Sequence, residues 1–261
     1  MSVISLLTDF GDKDNFVGVM KGVILKINPR LKIIDLCHNV KPQDILQAAF
    51  LLKNSFKYFP KGTVHLVVVD PGVGTKRRKI LVKTKDYYFV APDNGVLDLS
   101  LQGENIEKII EITNDKYFLK PVSNTFHGRD VFAPVAAYLS LGKRIDDFGK
   151  RIKGIKHLNL PVPKRVKNIL LGEVIYIDHF GNLITNITKD GFKDFLKDSN
   201  FKIYIAGRLI TKISHSYQEA KKNKPLAIWN SFGNLEISVA GACAKECLSA
   251  DLKTPIKIIK G

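Results

Sequence analysis

The sequence predicts an α/β protein with two parts: an N-terminal domain built on a mostly parallel sheet, and a smaller C-terminal domain that is β-barrel-like. Three observations lead to this prediction. Strand-like apolar runs alternate with helical stretches early in the chain, a basic stretch with two prolines follows at residues 150–167, and short β-like runs fill the remainder. A chain of 261 residues can form two moderate domains with proper cores. We therefore expect domains at residues 1–160 and 168–261.

The predicted N-terminal elements alternate between strand and helix. Apolar runs predict strands at residues 3–7, 32–36, 64–69, 80–82 and 88–90, and helical periodicity predicts helices at residues 15–27, 43–58 and 131–141. Asn28-Pro29 and Phe59-Pro60 end the first two helices, because the residue before a proline disfavours the helical region. Such alternation is typical of α/β domains with parallel strands.

The predicted elements after the basic stretch are strands with turn residues between them. They lie at residues 170–177, 183–187, 201–206, 227–229, 235–239 and 256–259. Short strands in this arrangement are typical of a small barrel or sandwich, which is why we expect the C-terminal domain to be mostly β.

Composition excludes several protein classes. The chain is 45% hydrophobic and 25% charged, as in ordinary globular proteins, and no apolar stretch approaches the ~18 residues of a membrane span. The first residues lead into a predicted strand without a basic leader, so we expect a cytoplasmic protein without membrane association. Three cysteines fit reduced thiols better than a disulfide framework. Cys243 and Cys247 could share a helix face, but two ligands do not make a zinc site.

The formal net charge of +16 raises the alternative of a nucleic-acid binding module. Only eight of the 41 basic residues are arginine, and the lysines are spread along the whole chain. Sites that read bases or clamp phosphates rely on arginine and on local clustering. We therefore expect a solvated lysine surface and no nucleic-acid partner.

Two acidic residues follow predicted strands. Asp70 comes directly after the strand at residues 64–69 and opens the turn DPGVGTKRR, and Asp9 follows the first strand in TDFG. Open α/β folds bind ligands where strands end, and a carboxylate there can accept hydrogen bonds from a ribose diol. The alternative is structural, because Asp in such turns also caps backbone amides.

Further polar residues stand near other predicted element ends. His127 precedes the helix predicted at residues 131–141, next to a glycine that would let a ligand approach, and Asp130 is expected to cap that helix. The segments YIDHFGN and WNSFGN turn between predicted strands and carry aromatic and amide groups suited to a heterocycle, although plain hairpins use similar turns. A metallohydrolase using Asp9, His38, Asp70 and His127 is a further alternative.

The motifs TDFG, VVDPGVGTKRR, TFHGRD, IDHFGN and NSFGN occur in this order over essentially the whole chain. This set resembles the S-adenosylmethionine hydroxide adenosyltransferases, relatives of the fluorinase and chlorinase enzymes. The resemblance implies hydrolysis of S-adenosyl-L-methionine to adenosine and L-methionine without a metal or other cofactor. It also implies a two-domain protein that forms a homotrimer, with its sites between neighbouring subunits.

The resemblance assigns roles to residues of this chain. The residues that handle the water are Asp70, Arg77 and His127. The substrate contacts are Asp9 with the ribose, Asp178 with the methionine ammonium, Phe180 and Asn182 with the adenine, and Ser231 with the methionine carboxylate.

Three positions depart from the halogenating relatives. Where the fluorinase has a serine that holds the halide, this chain has Gly128, and His127 replaces a tyrosine. A halogenating enzyme is therefore the less favoured alternative. Phe232 follows Ser231 where the fluorinase has a basic residue, which weakens the assignment of the carboxylate contact.

The residue types fit the implied reaction. A sulfonium leaves as a neutral thioether, so the leaving group needs no acid and the difficulty lies with water, whose pKa is about 15.7. Asp70 and His127 can orient a water molecule and accept its proton, and Arg77 can stabilise negative charge on it. The sequence leaves open which of Asp70 and His127 takes the proton.

Overall fold

The computed structural model describes residues 3–197 and 199–261. The chain divides into two compact units, Met1–Leu158 and Asn159–Gly261. Each unit contains its own β-sheet, and the fold is mixed α/β.

The first unit contains seven strands and four α-helices among its described residues. The strands are β1 (Val3–Thr8), β2 (Lys32–Cys37), β3 (Val64–Val68), β4 (Lys79–Thr84), β5 (Tyr88–Pro92), β6 (Ile106–Ile112) and β7 (Gly149–Arg151). The helices are α1 (Phe16–Ile27), α2 (Ile45–Lys53), α3 (Asp98–Leu101) and α4 (Ala133–Ser140), with 3₁₀ turns at Phe56–Tyr58, Asp115–Tyr117 and Ile145–Phe148 and a π-helical turn at Gly128–Phe132.

The sheet of the first unit is parallel on one side and antiparallel on the other. Its strand order is β2-β1-β3-β5-β4-β6-β7. The pairings of β1 with β2, β1 with β3 and β3 with β5 are parallel, whereas those of β4 with β5, β4 with β6 and β6 with β7 are antiparallel. The expectation of a mostly parallel sheet therefore describes only four of the seven strands. Strands β4 and β5 are antiparallel because only a short turn joins them, whereas a parallel pair would need a long crossover.

Helices cover both faces of this sheet. Met20 and Ile24 of α1 pack with residues of α4 over one face, and Ala48 and Leu52 of α2 pack over the other. β1 contributes to both cores, with Leu6 on one side and Leu7 on the other, as the two-residue period of a strand requires. A strand buried on both faces is held firmly, so its carboxyl end is a rigid place for a functional residue.

Three details of the first unit differ from the sequence predictions. Helix α2 begins at Ile45, so Gln43 lies outside it. Strand β6 was not predicted, because charged residues interrupt its apolar residues. Asp130 does not cap a helix. It is fully buried in the π-helical turn, where it accepts a hydrogen bond from the Ser123 amide at 2.8 Å and pairs with Arg129.

The second unit is mostly β. Its strands are β8 (Lys164–Val166), β9 (Ile169–Ile177), β10 (Leu183–Thr188), β11 (Phe201–Ile205), β12 (Arg208–Ile210), β13 (Ile213–Ser214), β14 (Pro225–Trp229), β15 (Asn234–Val239) and β16 (Pro255–Lys260). They form one sheet in the order β12-β11-β16-β9-β10-β15-β14-β13, with β8 paired to β9. The sheet curls into a half-barrel in which β12 lies against β14.

The described residues of the second unit also form the α-helices α5 (Lys189–Leu196) and α6 (Ala244–Cys247) and a 3₁₀ turn at Tyr217–Glu219, and the sequence did not indicate α5. Thr188 caps it by accepting a hydrogen bond from the Gly191 amide at 3.2 Å, and Phe192, Phe195 and Leu196 bury its apolar face. Eight residues form little more than two turns, which is too short for a clear helical period.

The basic stretch at residues 150–167 is not a free linker throughout. Asp93 accepts a hydrogen bond from the Lys156 amide at 2.7 Å, and Asp98 accepts one from the Leu158 amide at 3.0 Å. The first half of this stretch is therefore fastened to the first unit. In the described ranges, none of the helices combines the length and apolarity that crossing a membrane requires.

Candidate active site

A cavity of about 400 Å³ opens where the parallel strands of the first unit end. Its walls come from residues 9–10, 42–43, 70–71 and 125–128, together with Phe16, Val68 and Val73. A volume of this size lies in the range of small-molecule sites. The cavity also follows the general rule that α/β sheets bind ligands at the carboxyl ends of their strands.

The pairing of β1 with β3 brings Asp9 and Asp70 to this cavity. Thr8 stands beside Val68 in the parallel register, so the two strands end at the same level. Asp9 follows β1 directly, and Asp70 follows β3 after one more residue. Both aspartates line the cavity, as their positions after predicted strands indicated.

Asp70, Arg77 and His127 come together beside the cavity. Arg77 Nε donates to Asp70 Oδ1 at 2.8 Å, and Arg77 Nη2 donates to Asp70 Oδ2. The same Nη2 lies 2.9 Å from His127 Nδ1. The side chains of Arg77 and Asp70 are 10% and 5% exposed, so this ion pair is well shielded from water. The turn that carries Asp70 and Arg77 thus forms one hydrogen-bonded group with His127, which lies 50 positions after Arg77 in the sequence.

The contact with Arg77 fixes the tautomer of His127. A guanidinium has only donors, so Nδ1 of the imidazole must accept, and a neutral His127 carries its proton on Nε2. Burial lowers the pKa of His127. The charges of Arg77 and Lys79 lower this pKa further, against opposing effects of Asp70 and Asp130. The neutral imidazole with an Nε2–H donor is therefore the stable form.

Arg77 lies behind the cavity wall, whereas Asp70 and His127 line the cavity itself. The guanidinium carbon of Arg77 lies 5.3 Å from the centre of the Phe132 ring. Its Nη1 atom is buried and has no hydrogen-bond partner among the described residues. Arg77 thus uses its Nε and Nη2 donors for Asp70 and His127 and keeps Nη1 free of protein partners in the described part of the chain.

Gly74 allows the loop of Arg77 to approach the segment of His127. Gly74 has φ +77°, a backbone conformation that side chains disfavour, and a Cβ atom there would lie 2.3 Å from the carbonyl oxygen of Asn124. The loop at residues 70–78 thus packs directly on the backbone that leads to His127. This contact explains how Arg77 can reach the imidazole.

Gly128 is closely surrounded by the side chains of Met20 and Phe126. A Cβ atom at Gly128 would lie 3.1 Å from Met20 Sδ and 3.1 Å from a ring atom of Phe126. Both distances are shorter than ordinary van der Waals contact. A side chain at residue 128 would therefore require Met20 or Phe126 to shift by a few tenths of an ångström.

Asp178, Phe180 and Asn182 lie in the hairpin turn between β9 and β10 of the second unit. Asp178 Oδ1 accepts hydrogen bonds from the amides of Phe180 and Asn182, both at 2.9 Å, and its Oδ2 accepts one from Asn182 Nδ2 at 2.9 Å. The Phe180 ring is 75% exposed. The aspartate organises this turn, and the turn presents an aromatic ring on its surface.

The turn that carries Ser231 repeats this arrangement between β14 and β15. Asn230 Oδ1 accepts from the amides of Phe232 and Asn234, at 3.0 and 2.9 Å. Gly181 and Gly233 occupy the same place in the two turns, with φ +81° and φ +80°. The sequence showed both turns but not that they share one geometry.

Glu236 is a polar residue of the second unit that the sequence reasoning missed. It is buried, and its Oε1 accepts hydrogen bonds from Tyr217 Oη at 2.9 Å and Ser238 Oγ at 2.7 Å. Burial raises the pKa of Glu236, and the charge of Asp178 raises this pKa further. The sequence does carry a sign of this residue, because Glu236 interrupts the apolar residues of β15.

The four residues of the metallohydrolase alternative do not form a metal site. Across residues 3–197 and 199–261, no three His, Cys, Asp or Glu side chains converge in a way that could hold a metal ion. His38 instead bonds Thr8 Oγ1 through Nδ1 at 2.9 Å and lies 3.0 Å from Asp35 through Nε2. The described geometry gives this alternative no support.

Both parts of the chain match one protein family. Residues 4–149 match the profile of the SAM hydroxide adenosyltransferase N-terminal domain, and residues 172–257 match that of the corresponding C-terminal domain. Together these matches cover most of the chain.

Individual proteins are also similar. The (R)-S-adenosyl-L-methionine hydrolase of Methanocaldococcus jannaschii is 38% identical over 99% of this chain and 96% of its own length. The crystal structure of an uncharacterized conserved protein from Thermotoga maritima has a TM-score of 0.91 and 39% identity, covering 98% of this chain and 100% of that one. A fluorinase from Actinoplanes sp. is more distant, with 28% identity over 71% of each chain.

The packing of Gly74 on Asn124 generates the first prediction. Gly74→Ala should lower both the melting temperature and kcat, because its methyl group meets a backbone oxygen and displaces Arg77 from His127. Gly62→Ala is the matched control, since Gly62 has φ +84° but nothing within 4 Å of its Cβ position. It should share the backbone strain and keep full kcat. Thermal unfolding and steady-state kinetics measure the two effects, and equal kcat values for both variants would contradict the prediction.

Proposed function

Because this chain belongs to the SAM hydroxide adenosyltransferase family, we propose that it hydrolyses S-adenosyl-L-methionine to adenosine and L-methionine. Water attacks the ribose 5′-carbon, the carbon–sulfur bond breaks with its electron pair going to sulfur, and one water proton passes to a base. The observation that carries the proposal is the convergence of Asp70, Arg77 and His127 beside a cavity that Asp9 also lines.

The chemical difficulty lies in the nucleophile. The sulfonium leaves as a neutral thioether and needs no acid, but water has a pKa of about 15.7 and is a poor nucleophile at neutral pH. Holding the water in line with the carbon–sulfur bond can supply roughly 7–11 kcal/mol of the barrier. The site therefore needs a rigid pair of groups that orient one water molecule, more than it needs a strong base.

Asp70 and His127 are proposed as such a pair, and their hydrogen bonds to Arg77 support a division of roles between them. His127 presents Nε2–H because Arg77 occupies Nδ1, so the imidazole donates a hydrogen bond to the water oxygen. Asp70 has only acceptors and takes the proton. Arg77 acts from behind by holding both side chains, which fixes the direction from which the water attacks.

Asp9 is proposed to bind the ribose diol. The backbone N–H of Gln43 donates a hydrogen bond to Asp9 Oδ2 at 2.8 Å. This leaves Oδ1 and the second lone pair of Oδ2 for the two hydroxyl groups of the ribose. A carboxylate held from one side in this way is oriented before the substrate arrives.

The second unit is proposed to supply the remaining contacts. Phe180 packs near the adenine and Asn182 bonds to it, Asp178 meets the methionine ammonium, and Ser231 meets the methionine carboxylate. The rigid hairpin turns support these assignments, because hydrogen bonds within each turn fix the residues that would touch substrate. Phe232 supplies no charge for the carboxylate, which leaves Ser231 as the assigned group on that loop.

The reaction as proposed needs no metal or other cofactor. The name of the Methanocaldococcus relative carries an (R) descriptor beside L-methionine, and we extend to this chain a preference for the sulfonium of R configuration. A cytoplasmic location and a homotrimer with sites between neighbouring subunits belong to the same proposal, supported by the family membership.

Isotope labelling tests the reaction itself. Incubation with S-adenosyl-L-methionine of both sulfonium configurations in oxygen-18 water should give adenosine labelled at its 5′-hydroxyl and unlabelled methionine, because the oxygen comes from solvent. Mass spectrometry measures both products. A parallel incubation with excess chloride should give the same adenosine. Formation of 5′-chloro-5′-deoxyadenosine, or unlabelled adenosine, would contradict the proposal.

Substitutions separate the roles of Asp70 and His127. Asp70→Asn should lower kcat by about a thousandfold, because the proton acceptor is lost. His127→Gln keeps an N–H donor near the position of Nε2, so the loss should be smaller, about ten- to a hundredfold. His157→Gln, at an exposed histidine paired with Asp98, is the control and should keep full kcat. Steady-state kinetics measures the variants. A larger loss from His127→Gln than from Asp70→Asn would reverse the assignment.

The pH profile tests the protonation state of His127. Protonation of Nδ1 removes the acceptor for Arg77 and places two cations in contact, so activity requires the neutral imidazole. Because burial and neighbouring charges lower the pKa of His127 from 6.5, kcat/KM should stay level as the pH falls through 6.5 and decline only below it. Measurement of kcat/KM between pH 5 and 7.5 checks this expectation. A midpoint at or above 6.5 would count against it.

A further inference from the structure

Residues 41–44 form a turn that leads into α2, and its third residue has an unusual backbone. The Asp44 amide donates to the carbonyl of Lys41 at 2.9 Å, which defines a four-residue β-turn with Pro42 and Gln43 at its centre. Gln43 has φ +67°. Proline followed by a left-handed residue is the pattern of a type II turn, and glycine or asparagine normally takes the left-handed place. Gln43 is the only described non-glycine residue of the first unit with positive φ.

The left-handed conformation sets the direction of one amide group. Type I and type II turns differ by roughly 150° in ψ of their second residue, which reverses the central peptide. That peptide joins Pro42 to Gln43, and its N–H donates to Asp9 Oδ2 at 2.8 Å. A type I turn at the same place would point this N–H away from the carboxylate. The strain at Gln43 thus maintains a hydrogen bond to a residue of the cavity wall.

The surrounding contacts keep the turn in place. Gln47 Oε1 accepts from the Lys41 amide at 2.7 Å, and Asp44 Oδ1 accepts from the Gln47 amide at 2.9 Å, so the turn is fixed to the start of α2. The carbonyl of His38 accepts from the Gly11 amide at 2.8 Å. Both ends of residues 38–43 are therefore attached, one to the loop of Asp9 and the other to a helix.

We propose that Gln43 is a positioning residue for the ribose contact, and that its left-handed backbone orients the Asp9 carboxylate for the diol of an adenosyl substrate. The inference rests on the proposed function and deepens it. Backbone strain is retained where the surroundings enforce it, often beside functional groups, and Gln43 lines the same cavity as Asp9. The role belongs to the backbone of residue 43, so the identity of its side chain matters mainly through φ.

Two substitutions at this position test the proposal. Gln43→Val disfavours positive φ and should turn the central peptide over, which raises KM about tenfold while kcat stays within about threefold, as expected for loss of one charge-assisted hydrogen bond. Gln43→Gly accepts the left-handed conformation freely and should restore the wild-type KM. KM does not depend on the fraction of folded enzyme, so partial unfolding of the valine variant does not obscure the result. An unchanged KM for Gln43→Val would overturn the proposal.

A control and a double-mutant cycle separate positioning from simple destabilisation. Lys253→Val places the same β-branched residue at φ +66° in the second unit, so it should lower the melting temperature comparably and leave KM unchanged. In an Asp9→Ala background, which itself raises KM, Gln43→Val should have less than about threefold further effect because its partner is gone. Independent, multiplicative effects of the two substitutions would overturn the proposal.

The wild-type enzyme distinguishes this inference from the proposed function. If the wild type neither releases adenosine from S-adenosyl-L-methionine nor binds adenosine in calorimetry, the function itself fails and Gln43 has no ribose contact to position. If the wild type does both and the Gln43 variants bind adenosine equally well, only the positioning role fails. Tenfold weaker adenosine binding by Gln43→Val, with recovery in Gln43→Gly, supports both.

Discussion

One guanidinium, that of Arg77, is shared between Asp70 and His127, and the geometry of the site depends on this sharing. The ion pair is nearly excluded from water, so removing either partner would leave a buried charge uncompensated, which can cost about 3–5 kcal/mol. The contact of Arg77 Nη2 with His127 Nδ1 is favourable only while the imidazole is neutral, because a protonated imidazole would place two cations side by side. Arg77 therefore determines at once where Asp70 points, which nitrogen of His127 carries the proton, and which histidine charge state the fold accepts.

The sheet provides the fixed frame for this group. β1 and β3 are adjacent, parallel and buried, so Asp9 and Asp70 leave the sheet at the same edge. Arg77 and His127 come from loops, which are less constrained, and their meeting requires the close backbone approach at Gly74. Asp130 also accepts a hydrogen bond from the Ser123 amide, which connects the π-helical turn after His127 to the loop before it. Rigid strands thus carry the acids, and two tightly packed loops carry the cation and the imidazole.

The sequence predicted the parts of this arrangement that local patterns control. Apolar runs that end in Asp9 and Asp70 revealed both strand ends, and the family motifs brought Arg77 and His127 into one hypothesis. The antiparallel half of the first sheet was not foreseen. Strand β6 was missed because charged residues interrupt its apolar residues, and the short turn from β4 to β5 was not used to assign their direction. The roles of Asp130 and Gln43 were also missed, since a buried π-helical aspartate and a left-handed glutamine exist only through tertiary contacts. Local propensity favoured a helix cap and a helix start at these two positions.

The charge and packing of the site favour water over a halide as the nucleophile. The charges of Asp70 and Arg77 cancel and a neutral His127 adds none, so these three side chains carry no net charge that would attract an anion. A bound halide would also place a negative charge beside the Asp70 carboxylate. Gly128 offers no hydroxyl donor, and a Cβ atom there would lie only 3.1 Å from both Met20 and Phe126. Water has both a donor and an acceptor and suits Asp70 paired with the Nε2–H of His127. Neither a hydroxyl donor at residue 128 nor a net positive charge on this group is present to hold an anion in place of that water.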